Sequence, residues 1–184
     1  MVTQSKMFDY IEGCFKTWNH SGWDRMVLNA SLGIIGEVGE ILELTETSKH
    51  YEDVISEHGD LLYYTCVLCS LTEYYEISAS LYISGLYERY KSNRLRILNE
   101  YGHVITVIDI VKSITQLAEL NKKVFFHNKS VDETKWCNVT DSVLIWLFDS
   151  IEHYGLTLDE VMEYNTNKLK KRYPEGFKAV QNVN

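Results

Sequence analysis

The sequence predicts an all-α fold, a helical bundle of six to seven helices. Three observations carry this. Apolar residues recur at helical spacing, with little strand-like alternation. Gly-rich hairpin turns are scarce. The single proline, Pro174, lies near the end of the chain.

Taken in order, the first helix covers residues 4–17, with Met7, Tyr10, Ile11 and Cys14 on one stripe. The second covers 24–45 and the third 52–74. A shorter fourth spans 78–91, and the fifth spans 103–126. Ser130 and Glu133 have capping-box spacing and predict a long helix to His153, closed by Gly155. Thr157 and Glu160 form a second capping box. The helix they open must stop by Tyr173, because Pro174 disfavours helical geometry in the residue before it.

A chain of 184 residues fits one domain, or two small repeats sharing one core. Its hydrophobic and charged fractions, 45% and 24%, are ordinary for a soluble globular protein. The net charge of −8 argues against wrapping nucleic acid, which needs Lys and Arg clusters. It still admits a polyanionic ligand when a metal ion stands between. Cys66 and Cys69 form a C-x-x-C inside an apolar run, without the second pair that a zinc site needs. Together with Cys14 and Cys137 they read as reduced thiols of an intracellular protein. Lys6, Asp9 and Glu12 interrupt the N-terminal apolar residues, so no signal peptide is expected. No apolar run approaches the roughly 20 residues of a membrane span. The expected location is cytoplasmic.

The two halves look like one motif written twice. Gly36-Glu37-Val38-Gly39-Glu40 aligns with Thr115-Gln116-Leu117-Ala118-Glu119. Glu57-His58-Gly59-Asp60 aligns with Asn138-Val139-Thr140-Asp141, and Arg89-Tyr90 with Arg172-Tyr173. Glu40 and Glu119 lie 79 residues apart, Asp60 and Asp141 81, Arg89 and Arg172 83. Short insertions between helices account for that drift. The halves are therefore read as residues 1–92 and 93–184, joined through the polar stretch 91–99.

Glu37 and Glu40 are three residues apart, so they share one side of a helix. Glu57 and Asp60 repeat the spacing on the next helix, which a short connection makes an antiparallel neighbour. Two acidic pairs can then face each other across one groove. Carboxylates so placed repel unless a cation sits among them, and an all-oxygen set favours Mg²⁺, Mn²⁺ or Ca²⁺ over zinc. Magnesium also takes phosphate oxygens, which suits a nucleotide di- or triphosphate. One carboxylate not engaged with metal can serve as general base. Surface acid pairs at this spacing are common. Here, though, Ile34, Ile35, Val38, Ile41 and Leu42 surround one pair, and Leu61, Leu62, Tyr63 and Tyr64 follow the other. Gly36 and Gly39 flank the first pair, and glycine within a helix costs about 1 kcal/mol against alanine, so a close approach to the backbone is expected there.

G-E-V-G-E followed by E-H-G-D-L-L-Y-Y resembles the E-x-x-E … E-x-x-D signature of the all-α NTP pyrophosphohydrolases. That superfamily includes MazG-like enzymes, dimeric dUTPases and dCTPases, and phosphoribosyl-ATP pyrophosphohydrolases. The tail from Asn165 to Phe177 is similar to the N-x-x-K-L-x-x-R-Y-P-x-G-F ending of MazG-like proteins, including many carried by bacteriophages. The matching segments span residues 31–177. The resemblance implies a Mg²⁺-dependent cut (Mn²⁺ as the alternative ion) between the α- and β-phosphates of a nucleoside triphosphate. It carries over Glu37, Glu40, Glu57 and Asp60 as metal ligands. Lys168 and Arg172 carry over as phosphate contacts, with Asn165 and Tyr173 as further substrate contacts. Arginine's planar fork can make two hydrogen bonds to one phosphate.

The chain departs from the simple family pattern. The second acid set reads Gln116, Glu119, Asn138 and Asp141, with two amides in place of carboxylates. The first half has Tyr82, Gly85 and Arg89 where the second has Asn165, Lys168 and Arg172. Complementation follows as an expectation: metal ligands from one half, a basic tail from the other. Trp18 and His20, with Asn19 and Trp23, form a polar–aromatic cluster suited to stacking on a base. A homodimer is the expected assembly, with a self-contained monomer as the alternative. The rival functions are a dUTPase- or dCTPase-like enzyme of narrow specificity and a non-catalytic nucleotide-binding or interaction module.

Overall fold

The computed structural model describes residues 3–44, 50–72, 78–100, 106–130 and 132–177. The bundle comprises α1 (Gln4–Lys16), α2 (Trp23–Glu43), α3 (Tyr51–Leu71), α4 (Ala79–Glu100), α5 (Val107–His127), α6 (Glu133–His153) and α7 (Leu158–Arg172), with no β-strand among the described residues. The all-α expectation holds. None of these helices is long and apolar enough to cross a membrane.

Local signals explain most helix ends. Thr3 caps α1 by accepting from the Lys6 amide, and the stripe Met7, Tyr10, Ile11 and Cys14 is buried. The Thr157–Glu160 capping box opens α7, and the helix stops at Arg172, ahead of Pro174. Gly155, at φ +71°, closes α6. Paired bonds from Gly155 N to Glu152 O and from Leu156 N to Ile151 O make a Schellman ending. Two ends differ from the sequence reading. α6 takes Asp132 as its N-cap, not Ser130; the Asp132 carboxylate accepts from the Lys135 amide at 3.2 Å and also pairs with the Lys135 ammonium. α4 runs on to Glu100 instead of ending near Lys91. Arg94, Leu95, Arg96, Ile97 and Leu98 are good or acceptable helix formers, and no Gly or Pro interrupts them. The 92/93 joint therefore falls inside a helix. The expected start of the fifth helix at 103 lies outside the described residues; α5 is capped by Thr106 in a reciprocal box with Asp109.

α3 is the central helix. Its buried residues, from Val54 to Cys69, fall on nearly every side. Such an all-round apolar helix must lie inside the bundle, and α1, α2, α4, α6 and α7 all pack on it. α2 and α3 run antiparallel, with the Trp23 indole near the start of α2 bonded to Leu71 O at the end of α3. α5 and α6 form a second pair. The helix after each pair crosses over: α4 lies on α6, and α7 lies on α3. His58, fully buried on α3, ties it to α6 through Ser150 Oγ at 2.8 Å.

Two glycines permit the closest approaches. A Cβ on Gly33 of α2 would overlap the Tyr64 ring of α3. A Cβ on Gly59 of α3 would stand 2.9 Å from Cβ of Asn165 on α7. Gly36 and Gly39, expected to admit a close neighbour, have no atom within 4 Å of the position a Cβ would take. The α2–α3 seam tightens one turn earlier, at Gly33, where the Tyr64 ring lies.

Opposite effects of one substitution follow. Gly33→Ala should destabilise the protein by about 1–3 kcal/mol through overpacking. Gly36→Ala, in open space, should stabilise it by roughly 0.5–1 kcal/mol through helix propensity. Urea unfolding of both variants measures the difference. Equal effects would mean that the Gly33–Tyr64 contact is not tight.

Candidate metal and phosphate site

The antiparallel α2–α3 pair brings three acids together. Glu37 and Glu40 of α2 and Glu57 of α3 each offer a carboxylate oxygen, all within 4.8 Å of one another. No other such group of three metal-ligating side chains occurs among the described residues. Asp60, one turn along α3, is held differently. Its Oδ1 accepts from Asn165 Nδ2 at 3.0 Å, and its Oδ2 forms an ion pair with Lys168. Lys168 Nζ also donates to Ser56 Oγ at 2.7 Å. Both Asn165 and Lys168 come from α7, whose 165, 168 and 172 positions share one side.

The electrostatics follow from this crowding. Burial pushes the Glu37 carboxyl from its ordinary 4.5 up to about 8, helped by Asp60, Glu40 and Glu57 and opposed by Lys168. Glu57 is raised too, first by burial, then by Glu40. Glu37 Oε2 is buried and has no hydrogen-bond partner. Without metal the protonated Glu37 carboxyl shares a hydrogen bond with Glu57; its Oε2 still has no donor from the chain and stays open to a ligand. Three carboxylates, an orphaned oxygen and an all-oxygen donor set suit a hard divalent cation, Mg²⁺ or Mn²⁺.

The remaining candidates separate. Arg172 is exposed and Tyr173 half-buried. Burial, Glu37, Asp60 and Tyr173 push the Tyr64 phenol up and Arg172 pulls it down. Trp18 and His20 do not form one base-stacking surface. Trp18 is 2% exposed, packed with its ring centroid 5.4 Å from Tyr63 and 5.9 Å from Tyr64. His20 turns back to Phe15, one ring nitrogen 3.0 Å from its carbonyl oxygen. Trp23 is drawn to the end of α3. Trp18 gains more from the core than from solvent, whereas His20 and Trp23 are exposed. The cluster seen in sequence is thus split three ways.

The second acid set is dispersed. Gln116 and Asn138 are exposed. Glu119 pairs with Lys122 at 2.5 Å and Lys123 at 3.7 Å on its own helix. The Tyr82 hydroxyl bonds to Asp141. Tyr82 is the residue aligned with Asn165, and Asp141 the one aligned with Asp60, so the two contacts match across the halves. Sequence reasoning missed Tyr10, Ser56 and Gly59. Tyr10 looked like core on an apolar stripe; its hydroxyl donates to Asn165 Oδ1 at 2.9 Å. The only local signal for Gly59 is its place between two acids.

No protein-family model, no curated protein and no solved structure matches this chain.

The raised Glu37 carboxyl makes a signed prediction. Without metal, the folded protein holds a proton on Glu37 that the unfolded chain releases above about pH 4.5. That contribution is complete below the unfolded value and is lost as pH rises to about 8. The metal-free melting temperature should therefore fall across that window, and Mg²⁺ should flatten the fall. Calorimetry at pH 7 in buffers of different ionisation enthalpy should record about one proton released per Mg²⁺ bound. Binding without proton release would contradict the assignment.

Proposed function

We propose that the protein is a Mg²⁺-dependent nucleoside triphosphate pyrophosphohydrolase, cleaving (d)NTP to (d)NMP and pyrophosphate. The observation that carries the reading is the Glu37–Glu40–Glu57 group with its orphaned oxygen, with Lys168 paired to the neighbouring Asp60. The family resemblance of the two motifs supports the substrate class.

Glu37, Glu40 and Glu57 would hold the cation, with Asp60 beside them. When bound, magnesium would neutralise phosphate charge and lower the pKa of an attacking water. The chain's own groups do the rest. Arg172 can grip a phosphate through two parallel hydrogen bonds. Lys168 supplies a compact positive charge and leaves Ser56 and Asp60 to do so. A carboxylate of the cluster takes the proton of the attacking water while pyrophosphate departs. The basic groups come from the second half and the acids from the first, so each chain would carry one composite site. Within this class a dUTPase- or dCTPase-like preference remains a narrower form of the proposal.

A second reading, nucleotide binding without turnover, draws on the Lys168–Asp60 ion pair, which already neutralises one acid. Pyrophosphate release from a panel of (d)NTPs with Mg²⁺ separates the two. The proposal expects turnover, abolished in Glu40→Ala. Lys168→Ala and Arg172→Ala should each lower kcat/KM about 10- to 100-fold, the scale of a charge-assisted hydrogen bond. Turnover unchanged in both would remove the basic tail from the site. Binding with no turnover of any nucleotide supports the second reading.

A further inference from the structure

We propose that Tyr10 of α1 is a positioning residue for the acid cluster, fixing through Asn165 the carboxylate of Asp60, which would join Glu37, Glu40 and Glu57 on the cation. The inference rests on the reading of this acid cluster as a metal site.

Three hydrogen-bonding groups form a chain across three helices. The Tyr10 hydroxyl donates to Asn165 Oδ1 at 2.9 Å, and Asn165 Nδ2 donates to Asp60 Oδ1 at 3.0 Å. The direction of the chain is forced from its charged end. Asp60, paired with Lys168, can only accept. Asn165 must therefore turn its NH₂ toward Asp60 and its carbonyl oxygen toward α1. A carbonyl oxygen needs a donor, and Tyr10 is the group that faces it. Burial pushes the Tyr10 phenol well above its ordinary value, so the hydroxyl keeps its proton throughout the working range.

Burial also closes the alternatives. Tyr10 is 5% exposed and Asn165 fully buried, so solvent has little access to Asn165 Oδ1 if the hydroxyl is removed. Without the hydroxyl, Asn165 Oδ1 is buried with no donor from α1, and the amide is anchored only through its bond to Asp60. That bond then has no support from α1, and Lys168 on Oδ2 alone leaves the plane of the Asp60 carboxylate freer to turn.

The bland reading is a core tyrosine whose hydroxyl happens to find a partner. One feature argues past it. Gly59 has no side chain where Asn165 seats, and a Cβ there would stand 2.9 Å from Cβ of Asn165, so the amide is packed into one place.

The test is Mn²⁺ affinity, by calorimetry or by the loss of free-ion paramagnetic signal, for wild type, Tyr10→Phe, Asn165→Leu and the double variant. The expected result is binding by wild type and about a 10-fold or greater loss in Tyr10→Phe, the scale for groups that orient a metal ligand. Asn165→Leu should lose at least as much, and the double variant no more than Asn165→Leu alone. Wild-type affinity in Tyr10→Phe overturns the proposal. So does a Tyr10→Phe loss that adds in full on the Asn165→Leu background, because the effect would then not pass through Asn165. If Tyr10→Phe does not fold, wild-type affinity in Asn165→Leu overturns it equally. Failure of wild type itself to bind Mn²⁺ is the separate result that removes the metal reading beneath it.

Discussion

Carboxylates gathered at one place on a helical hairpin repel, and the surrounding structure is arranged around that repulsion. Four acids stand on α2 and α3, and two responses are visible. Asp60 is neutralised by Lys168, 108 residues away in sequence. Glu37 is driven toward its protonated form by burial and by its neighbours. Neither response satisfies Glu37 Oε2. What is left is a partly compensated pocket of oxygen ligands, the condition in which a divalent cation gains most from entering.

The crossing of α7 onto α3 makes the compensation available. It depends on Gly59, which lets Asn165 lie against the α3 backbone, and on the side of α7 that carries 165, 168 and 172. The tail past α7 is pinned as well: Gly176, at φ +77°, presents no side chain to Lys16 O, and the Phe177 amide donates to that oxygen at 3.1 Å. The segment after α7, as far as Phe177, is thus fastened to the end of α1. Helices α2, α3 and α7 must fold together before Asp60 meets Lys168. The contact of α4 with α6 puts Tyr82 on Asp141.

Much of the fold was legible because its signals are local. Capping residues, one late proline and helical spacing of apolar residues marked most of the helices. The acid pairs were legible for the same reason: a spacing of three residues places both side chains on one side of a helix whatever surrounds it. The failures at Gly33, Trp18 and Tyr10 are cases in which a partner far along the chain decides. Gly33, not Gly36 or Gly39, admits the close contact, because Tyr64 happens to face it. Trp18 and His20 looked like a pair for a base, yet one sinks against Tyr63 and the other turns to Phe15. Tyr10 reads as core on any helical wheel, since nothing in its own helix records the amide opposite. The stretch after Lys91 looked like a joint because it is polar, but its residues hold helical geometry without difficulty.

The central claim is one divalent-cation site per chain, on the first half alone. Crystals grown with Mn²⁺ and measured for anomalous scattering address it directly. The account predicts a single strong peak within coordination distance of Glu37, Glu40 and Glu57, with none near Glu119 or Asp141. A map with no peak at those glutamates, or with a matching peak in the second half, would contradict it.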